Sequence, residues 1–393
     1  HLMPPQKFYN MPYFIPLGIP DFKGKKDRDF IQISYLIEGN DAVELTIQIR
    51  DGGKIIYQEK ITDSSKLTKG EHRWKWNGFD SNGIYDSAVF TTAKDLNIYT
   101  IAIDNEENYS RKRVEFTAKY SEVKWVDVKI NKNTKRIDVT LRVNLKNGGE
   151  IGTEKDCIQV GSGQYSSIKT VCPWEKIPKE DLIAGNPPLK TQTKSFKDLE
   201  QLALEGLSYH WGRNKNHFIA KNVDINGELY EVFVNAINTT KKAMDDVDLI
   251  FNTNHKWMRS GNPGTVEDPI SFVGNIVSRE AICYNVGYIK YSNGWFYRTN
   301  NDENIDFKYT SAHEIGHTIL KAYGGTFYSY GHKGSVNTIT QSESSNAKAY
   351  PKKGEMDIMP YYTDNPPLFD YNRFIAHEKD ILSLLWLTKL ELK

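Results

Sequence analysis

The sequence at positions 313–317 reads His313-Glu314-Ile315-Gly316-His317. The composition from Phe307 to Lys321 is helical, and Gly324-Gly325 is typical of a helix C-terminus. Residues four positions apart lie on the same face of a helix, so both histidines can direct a ring nitrogen at one metal ion. We therefore predict a site for one catalytic zinc ion, with His313 and His317 as ligands.

Glu314 follows the first histidine and is expected beside the metal. A carboxylate there can hold a zinc-activated water, take its proton during attack on an amide carbonyl and pass the proton to the leaving amine. The alternative is a capping box in which Ser311 caps the helix and Glu314 bonds to the backbone. We favour a helix start near Asp306, which leaves Glu314 available as the general base.

A catalytic zinc site needs a third protein ligand and one position open to water or substrate. The metzincin extension would place Gly at 320 and His at 323, but the sequence has Leu320 and Tyr323, which excludes that subclass. The residues alone leave His332, Glu355 and Asp357 as downstream candidates for the third ligand. The pair His377-Glu378 is a weaker candidate, because Ile381 stands where a second His would be.

Hydrolysis of an amide also needs a hydrogen-bond donor for the oxyanion that forms at the carbonyl. The sequence does not select among the candidates near the motif, which are Tyr323, Tyr330, Tyr361, Tyr362 and His332.

The segment 23–120 shows short stretches in which apolar and polar residues alternate. Val43–Ile49 is one of them, and the turns Asp51-Gly52-Gly53 and Asn82-Gly83 separate such stretches. This pattern predicts an all-β immunoglobulin-like sandwich. The run from Gly70 to Gly83 resembles the immunoglobulin-like repeat of the flagellar hook-cap protein FlgD, which implies a spacer or docking domain.

We place the domain boundary near Tyr120. Residues 1–22 are expected to be a linker or tag-derived segment, because His1 and Leu2 precede the first Met. In the segment 121–393, Ser195 and Asp198 form the capping box of a predicted helix. Strands are expected before the histidine helix, and a last helix is expected over about 376–390. The expected fold is an α+β zincin-like metallopeptidase domain preceded by the immunoglobulin-like sandwich.

Composition narrows the classes of partner. The 51 basic and 50 acidic residues give a net charge of +1, so we expect no nucleic-acid partner. The three Cys lack the spacing of a Cys-rich zinc framework. We also expect no transmembrane segment and no signal peptide, because there is no apolar run of about 18 residues and no basic-then-apolar N-terminus.

Several motifs after Ser311 resemble the metallopeptidase effector domains at the C-termini of VgrG spike proteins of bacterial type VI secretion systems. The residues that carry the resemblance are Ala312–His317, Ala322–Gly325, Tyr330–Ser335, Gly354–Met359, Tyr361-Tyr362 and Asp380–Leu390, and upstream Tyr209–Asn214 and Val234–Ala236.

This resemblance implies that Glu355 is the third zinc ligand, with His332 and Asp357 as the alternatives. It also implies an antibacterial toxin that is made in the bacterial cytoplasm without a signal peptide. Fusion to or association with a VgrG spike would then deliver the toxin into a neighbouring cell, with the periplasm as the expected compartment. A cognate immunity protein would be a partner.

Three functions are compatible with the sequence. The first is a zinc metalloendopeptidase acting on a peptide or protein substrate. The second is a non-catalytic binding or adaptor protein with a structural metal site, although such a site has no use for Glu314. The third is a zinc amidase that acts on peptidoglycan peptides.

Overall fold

The computed structural model describes residues 12–154, 156–160, 169–171, 174–262, 280–291 and 294–393. The chain is mostly β, with 38% strand and 23% helix in several sheets. The expected α+β zincin-like class behind an immunoglobulin-like sandwich is therefore contradicted. The strand content is higher than expected because some strands extend beyond the residues whose pattern predicts them. The strand Arg136–Ile151, for example, continues through Asn147-Gly148-Gly149, a sequence typical of a turn that here forms an irregular part of the strand.

Five α-helices occur in the described parts of the chain. They are α1 (Ser87–Thr92), α2 (Phe196–His210), α3 (Asn300–Gly324), α4 (Thr326–Tyr330) and α5 (Glu378–Trp386). None of the helices in these parts is long and apolar enough to cross a membrane.

The strands are short at the two ends of the chain and longest in its middle. They are Tyr13–Phe14, Ile31–Ile37, Ala42–Asp51, Lys54–Ile61, Gly70–Trp76, Ile84–Asp86, Leu96–Asp104, Tyr109–Glu115, Ala118–Tyr120, Val126–Asn131, Arg136–Ile151, Ile158–Val160, Lys169–Val171, Val223–Ile225, Glu228–Asn238, Asp246–Lys256, Ala281–Tyr291, Gly294–Arg298, Met356–Asp357, Phe374–Ile375 and Leu390–Leu392.

The chain divides into two compact units, of which the first comprises the described residues up to Val139 with Val223–Val232 and Leu382–Lys393. Its largest sheet has four antiparallel strands in the order 54–61, 42–51, 96–104, 109–115. A separate antiparallel pair joins 31–37 to 70–76. The Tyr57 ring stacks on Trp76 at 5.2 Å, so aromatic side chains connect the two sheets.

The second unit comprises Thr140–Asn222 and Phe233–Ile381. In it, the strand ending at Ile151 runs parallel to 246–256, which runs parallel to 281–291. Strand 294–298 adds antiparallel to 281–291. Residues 282–289 are all buried, as expected for a strand covered on both faces. The pair Asn293-Gly294 is typical of a hairpin turn, but Asn293 lies outside the described residues.

Helix α3 follows strand 294–298 directly and packs on the neighbouring strand 281–291. The rings of Tyr284 and Phe307 meet edge-on at 5.5 Å, and the Glu303 carboxylate accepts the backbone N–H of Asn285 at 2.8 Å. On another side α2 approaches so closely that a Cβ on Gly206 would lie 2.2 Å from the carbonyl oxygen of Lys308. Strand and helix contacts thus fix α3 before the chain reaches the two histidines.

Candidate metal centre

Helix α3 carries His313 and His317 on one buried face. Thr299 caps the helix, its Oγ1 accepting the N–H of Asp302 at 3.2 Å. Ser311 is therefore inside the helix, which excludes the alternative in which Ser311 and Glu314 form a capping box. The two imidazole centroids lie 4.9 Å apart, and the side chains are almost fully buried.

A third histidine, His332, joins this pair. The chain leaves α3 at Gly325, forms the single turn of α4 and brings His332 back onto the helix face. Its ring centroid lies 4.6 Å from that of His317 and 5.3 Å from that of His313. One ligand nitrogen from each of the three lies within 4.8 Å of the others. This three-histidine cluster could hold a metal ion.

Each histidine of the cluster uses Nδ1 for a hydrogen bond to the protein. Nδ1–H of His313 donates to the carbonyl oxygen of Ile358 at 2.8 Å, and that of His332 to the carbonyl oxygen of Tyr330 at 3.1 Å. Nδ1 of His317 lies 3.2 Å from the Ser329 hydroxyl, which itself donates to the His317 carbonyl oxygen. Such bonds leave Nε2 with its lone pair, as in metal-binding histidines.

The Nε2 atoms of His313 and His332 are buried and have no hydrogen-bond partner among the described residues. A buried ring nitrogen without a partner is costly unless something outside the chain satisfies it. Burial lowers the pKa of His313 to about 4 and holds the pKa values of His317 and His332 well below the usual range, where the neighbouring imidazoles lower them further. The cluster is therefore neutral near pH 7, which is the protonation state that binds a metal.

The other two candidates for the third ligand are engaged elsewhere. The Glu355 carboxylate forms two hydrogen bonds with the buried Arg213 guanidinium, at 2.7 and 3.0 Å. Asp357 pairs with Lys333. The structure thus brings His332, and neither carboxylate, to the two helix histidines. Glu355, expected as the third ligand, lies outside the three-histidine cluster and pairs with Arg213.

Two of the candidate tyrosines stack on the cluster. The Tyr330 ring lies parallel to His317 at 5.6 Å, and the Tyr361 ring lies 3.9 Å from His332. Burial, and then the charge of Glu314, raises the pKa of Tyr330 and raises that of Tyr361 to about 12. Glu314 is therefore close enough to both phenols to raise their pKa values, and both phenols stay protonated and able to donate.

Each of these phenols also contacts a polar or charged side chain from the segment that follows the strand Asp246–Lys256. The Asn262 amide donates to the Tyr330 hydroxyl at 2.8 Å. The Arg259 guanidinium, which is exposed, hydrogen-bonds to Tyr361. By contrast, the Tyr362 hydroxyl donates to the carbonyl oxygen of Asp357 at 3.2 Å and is used there. Arg259 and Asn262 carry no motif, so nothing in the sequence marked them as part of the site.

Below the cluster, Gly316 gives the helix room for two large neighbours. A Cβ at this position would lie 2.6 Å from Sδ of Met359 and 2.9 Å from Cζ2 of Trp211. The Trp211 indole N–H also donates to the carbonyl oxygen of Ala312 at 3.0 Å. These contacts lock the helix turn that carries both histidines.

Comparisons with known proteins add no relative from which a function could be inferred. No model of a known protein family matches the chain, and no curated protein matches it. Among solved structures, a β-glucuronidase from Ruminococcus gnavus in complex with D-glucuronic acid aligns at 7% identity and a TM-score of 0.14. The alignment covers 76% of this chain and 32% of the β-glucuronidase, and similarity this low carries no argument about fold or function.

Proposed function

We propose that the chain is a zinc-dependent metallopeptidase in which His313, His317 and His332 hold one zinc ion and Glu314 is the general base. The observation that carries the proposal is the three-histidine cluster, with each Nδ1 hydrogen-bonded to the protein and Glu314 one residue from a ligand. Three imidazoles suit zinc, and a set of three protein ligands leaves the fourth position for chemistry.

The proposed roles follow from position. Zinc bound there would supply a Lewis acid that polarises an amide carbonyl and acidifies a water molecule. Glu314 would accept a proton from the attacking water and return it to the leaving amine. Tyr330 and Tyr361, both protonated at neutral pH and both near Glu314, would donate hydrogen bonds to the developing oxyanion.

The biological setting is proposed from the sequence resemblance alone. An antibacterial effector of a type VI secretion system would be delivered with a VgrG spike, act in the periplasm of a neighbouring cell and be neutralised by an immunity protein. The amide bond cut could belong to a protein or to a peptidoglycan peptide, so both substrate classes belong in the test.

The test compares the purified wild-type chain with Glu314→Gln. Metal analysis should find about one zinc per chain in both proteins. Hydrolysis of a peptide library or of peptidoglycan fragments should fall by about 10²- to 10⁴-fold in Glu314→Gln, the usual contribution of a general base. Glu200→Gln, on the partly exposed face of α2, is the matched control and should keep full activity.

Two results would contradict the proposal. One is a well-folded wild-type protein that takes up no zinc. The other is a Glu314→Gln variant as active as the wild type. A structural metal site in an adaptor protein would instead show bound zinc, no hydrolysis of either substrate class, and no toxicity that depends on Glu314 when the chain is directed to a bacterial periplasm.

A further inference from the structure

His332 lies in a turn whose backbone is unusual for residues with a side chain. His332, Lys333 and Gly334 have φ values of 48°, 57° and 89°, three successive residues in the left-handed region. Cβ atoms disfavour this region, so a non-glycine residue there needs surrounding contacts to hold it. The orientation of His332 therefore depends on what fixes this turn.

Lys333 supplies two of these contacts. Its ammonium group lies 2.7 Å from a carboxylate oxygen of Asp380 and also pairs with Asp357. The Asp380 side chain is fully buried, and 14% of the Lys333 side chain is exposed. The Tyr328 hydroxyl donates to the other Asp380 oxygen at 3.0 Å. The cation is thus clamped between α5 and the strand Met356–Asp357.

The same strand end orients a second histidine. Asp357 pairs with Lys333, and the next residue, Ile358, accepts the Nδ1–H of His313 at 2.8 Å. Lys333 consequently ties the turn that carries His332 to the segment that orients His313. It does so without contributing an atom to the histidine cluster.

We propose that Lys333 is a positioning residue for the metal site: its ion pairs with Asp357 and Asp380 hold the left-handed turn that directs His332 at His313 and His317. The inference rests on the proposed metal site. It adds that metal affinity is set partly by a lysine outside the ligand set. Contacts that orient ligands commonly change metal affinity by about 10- to 100-fold when they are removed.

The test uses Lys333→Met, Lys333→Arg and a matched control, Arg213→Met. Arg213 is also a buried cation paired with a carboxylate in the same unit, but it contacts Glu355 and no histidine of the cluster. Zinc affinity is measured by competition with a chromophoric chelator. The visible absorption spectrum of the cobalt-loaded protein reports the ligand geometry.

Lys333→Met should weaken zinc binding by about 10- to 100-fold and alter the cobalt spectrum. Lys333→Arg should recover part of the affinity, because the positive charge remains. Arg213→Met should lower thermal stability and leave zinc affinity and spectrum as in the wild type. The Ser335 hydroxyl still joins the His332 carbonyl oxygen to the Tyr361 N–H, so we expect Lys333→Met to fold.

Unchanged zinc affinity in folded Lys333→Met would overturn the inference, and so would an equal loss in Lys333→Met and Arg213→Met. Should Lys333→Met not fold, Asp357→Asn takes its place, with a smaller loss of affinity expected and an unchanged affinity refuting the inference. A wild-type chain that binds no zinc refutes the proposed function itself, so the two failures are distinguishable.

Discussion

Replacing His332 and Glu355 separately would discriminate between the two candidate third ligands. In His332→Ala the cluster loses one of its three nitrogens. In Glu355→Ala the cluster is intact, and Arg213 loses its partner. We expect zinc to stabilise wild type and Glu355→Ala equally and to stabilise His332→Ala far less.

The magnitude follows from mass action. Zinc at 100 times its dissociation constant stabilises a folded site by at most about 2.7 kcal/mol, and any binding by the unfolded chain reduces this value. If the loss of His332 weakens binding by at least about 100-fold, the stabilisation at the same zinc concentration falls to about 0.4 kcal/mol or less. For domains of about 150–250 residues this corresponds to a zinc-induced rise in Tm of roughly 5–10 °C in the wild type and about 1 °C in His332→Ala.

The assay is thermal unfolding with zinc and with a chelator. Only the difference between the two conditions is compared across variants, because Glu355→Ala should lower stability in both by leaving the Arg213 charge without its partner. That loss is about 1–3 kcal/mol, reduced because Glu355 is 38% exposed. His72→Ala, in the first unit, is the control for loss of a histidine outside the cluster. A zinc response that disappears in Glu355→Ala and persists in His332→Ala would refute the reasoning.

Two further predictions concern the scaffold around the site. Burial lowers the pKa of His210 to about 4 from 6.5, and its Nδ1–H donates to the carbonyl oxygen of Phe374, so the unfolded state binds more protons between these values. His210 should therefore contribute up to about 3 kcal/mol to the fall in stability between pH 6.5 and pH 4. Denaturant unfolding of His210→Asn at several pH values should show a shallower fall than that of the wild type. Gly206→Ala should be destabilised by more than about 2 kcal/mol in urea unfolding, because its Cβ would overlap the backbone carbonyl of Lys308 and separate α2 from α3. An unchanged midpoint would show that these helices can move apart at little cost.

Local signals in the sequence were sufficient for individual elements. The helix predicted over Phe307–Lys321 is confirmed within Asn300–Gly324, and the capping box of Ser195 and Asp198 is present. Both depend on side chains only a few positions apart, which periodicity and capping patterns detect. The prediction of a last helix over about 376–390 was wrong in its extent. The helix covers Glu378–Trp386, and Leu390–Leu392 forms a strand.

The third member of the cluster could not be chosen from the sequence. His332, Glu355 and Asp357 all follow the helix at distances that a loop can span. The choice depends on the left-handed turn at His332, which brings its ring to the helix histidines, while Glu355 lies outside the cluster and pairs with Arg213 far upstream. Neither a distant ion-pair partner nor a positive φ at a non-glycine residue leaves a mark in a local pattern.

The prediction of the fold class was wrong for a related reason. The α+β expectation came from the histidine helix, whereas the strand content comes from long elements such as Arg136–Ile151 and Ala281–Tyr291. Sheet pairing between segments about a hundred residues apart, as between Asn144 and Asp246, is a tertiary property. Periodicity indicates that a strand exists and says little about its neighbours.

All three histidines of the cluster lie within residues 313–332, so only a short loop closes when they converge. The entropic cost of such a loop is small, and the unfolded chain can therefore chelate zinc as well. Binding to the unfolded state limits how much additional zinc can stabilise the fold. The difference between the zinc affinities of the folded and unfolded chain then depends on contacts that form only on folding. The main one is the hydrogen bond from His313 to the carbonyl oxygen of Ile358, a residue outside the segment 313–332. Refolding in the presence of zinc would begin from a chain whose metal ligands are already together.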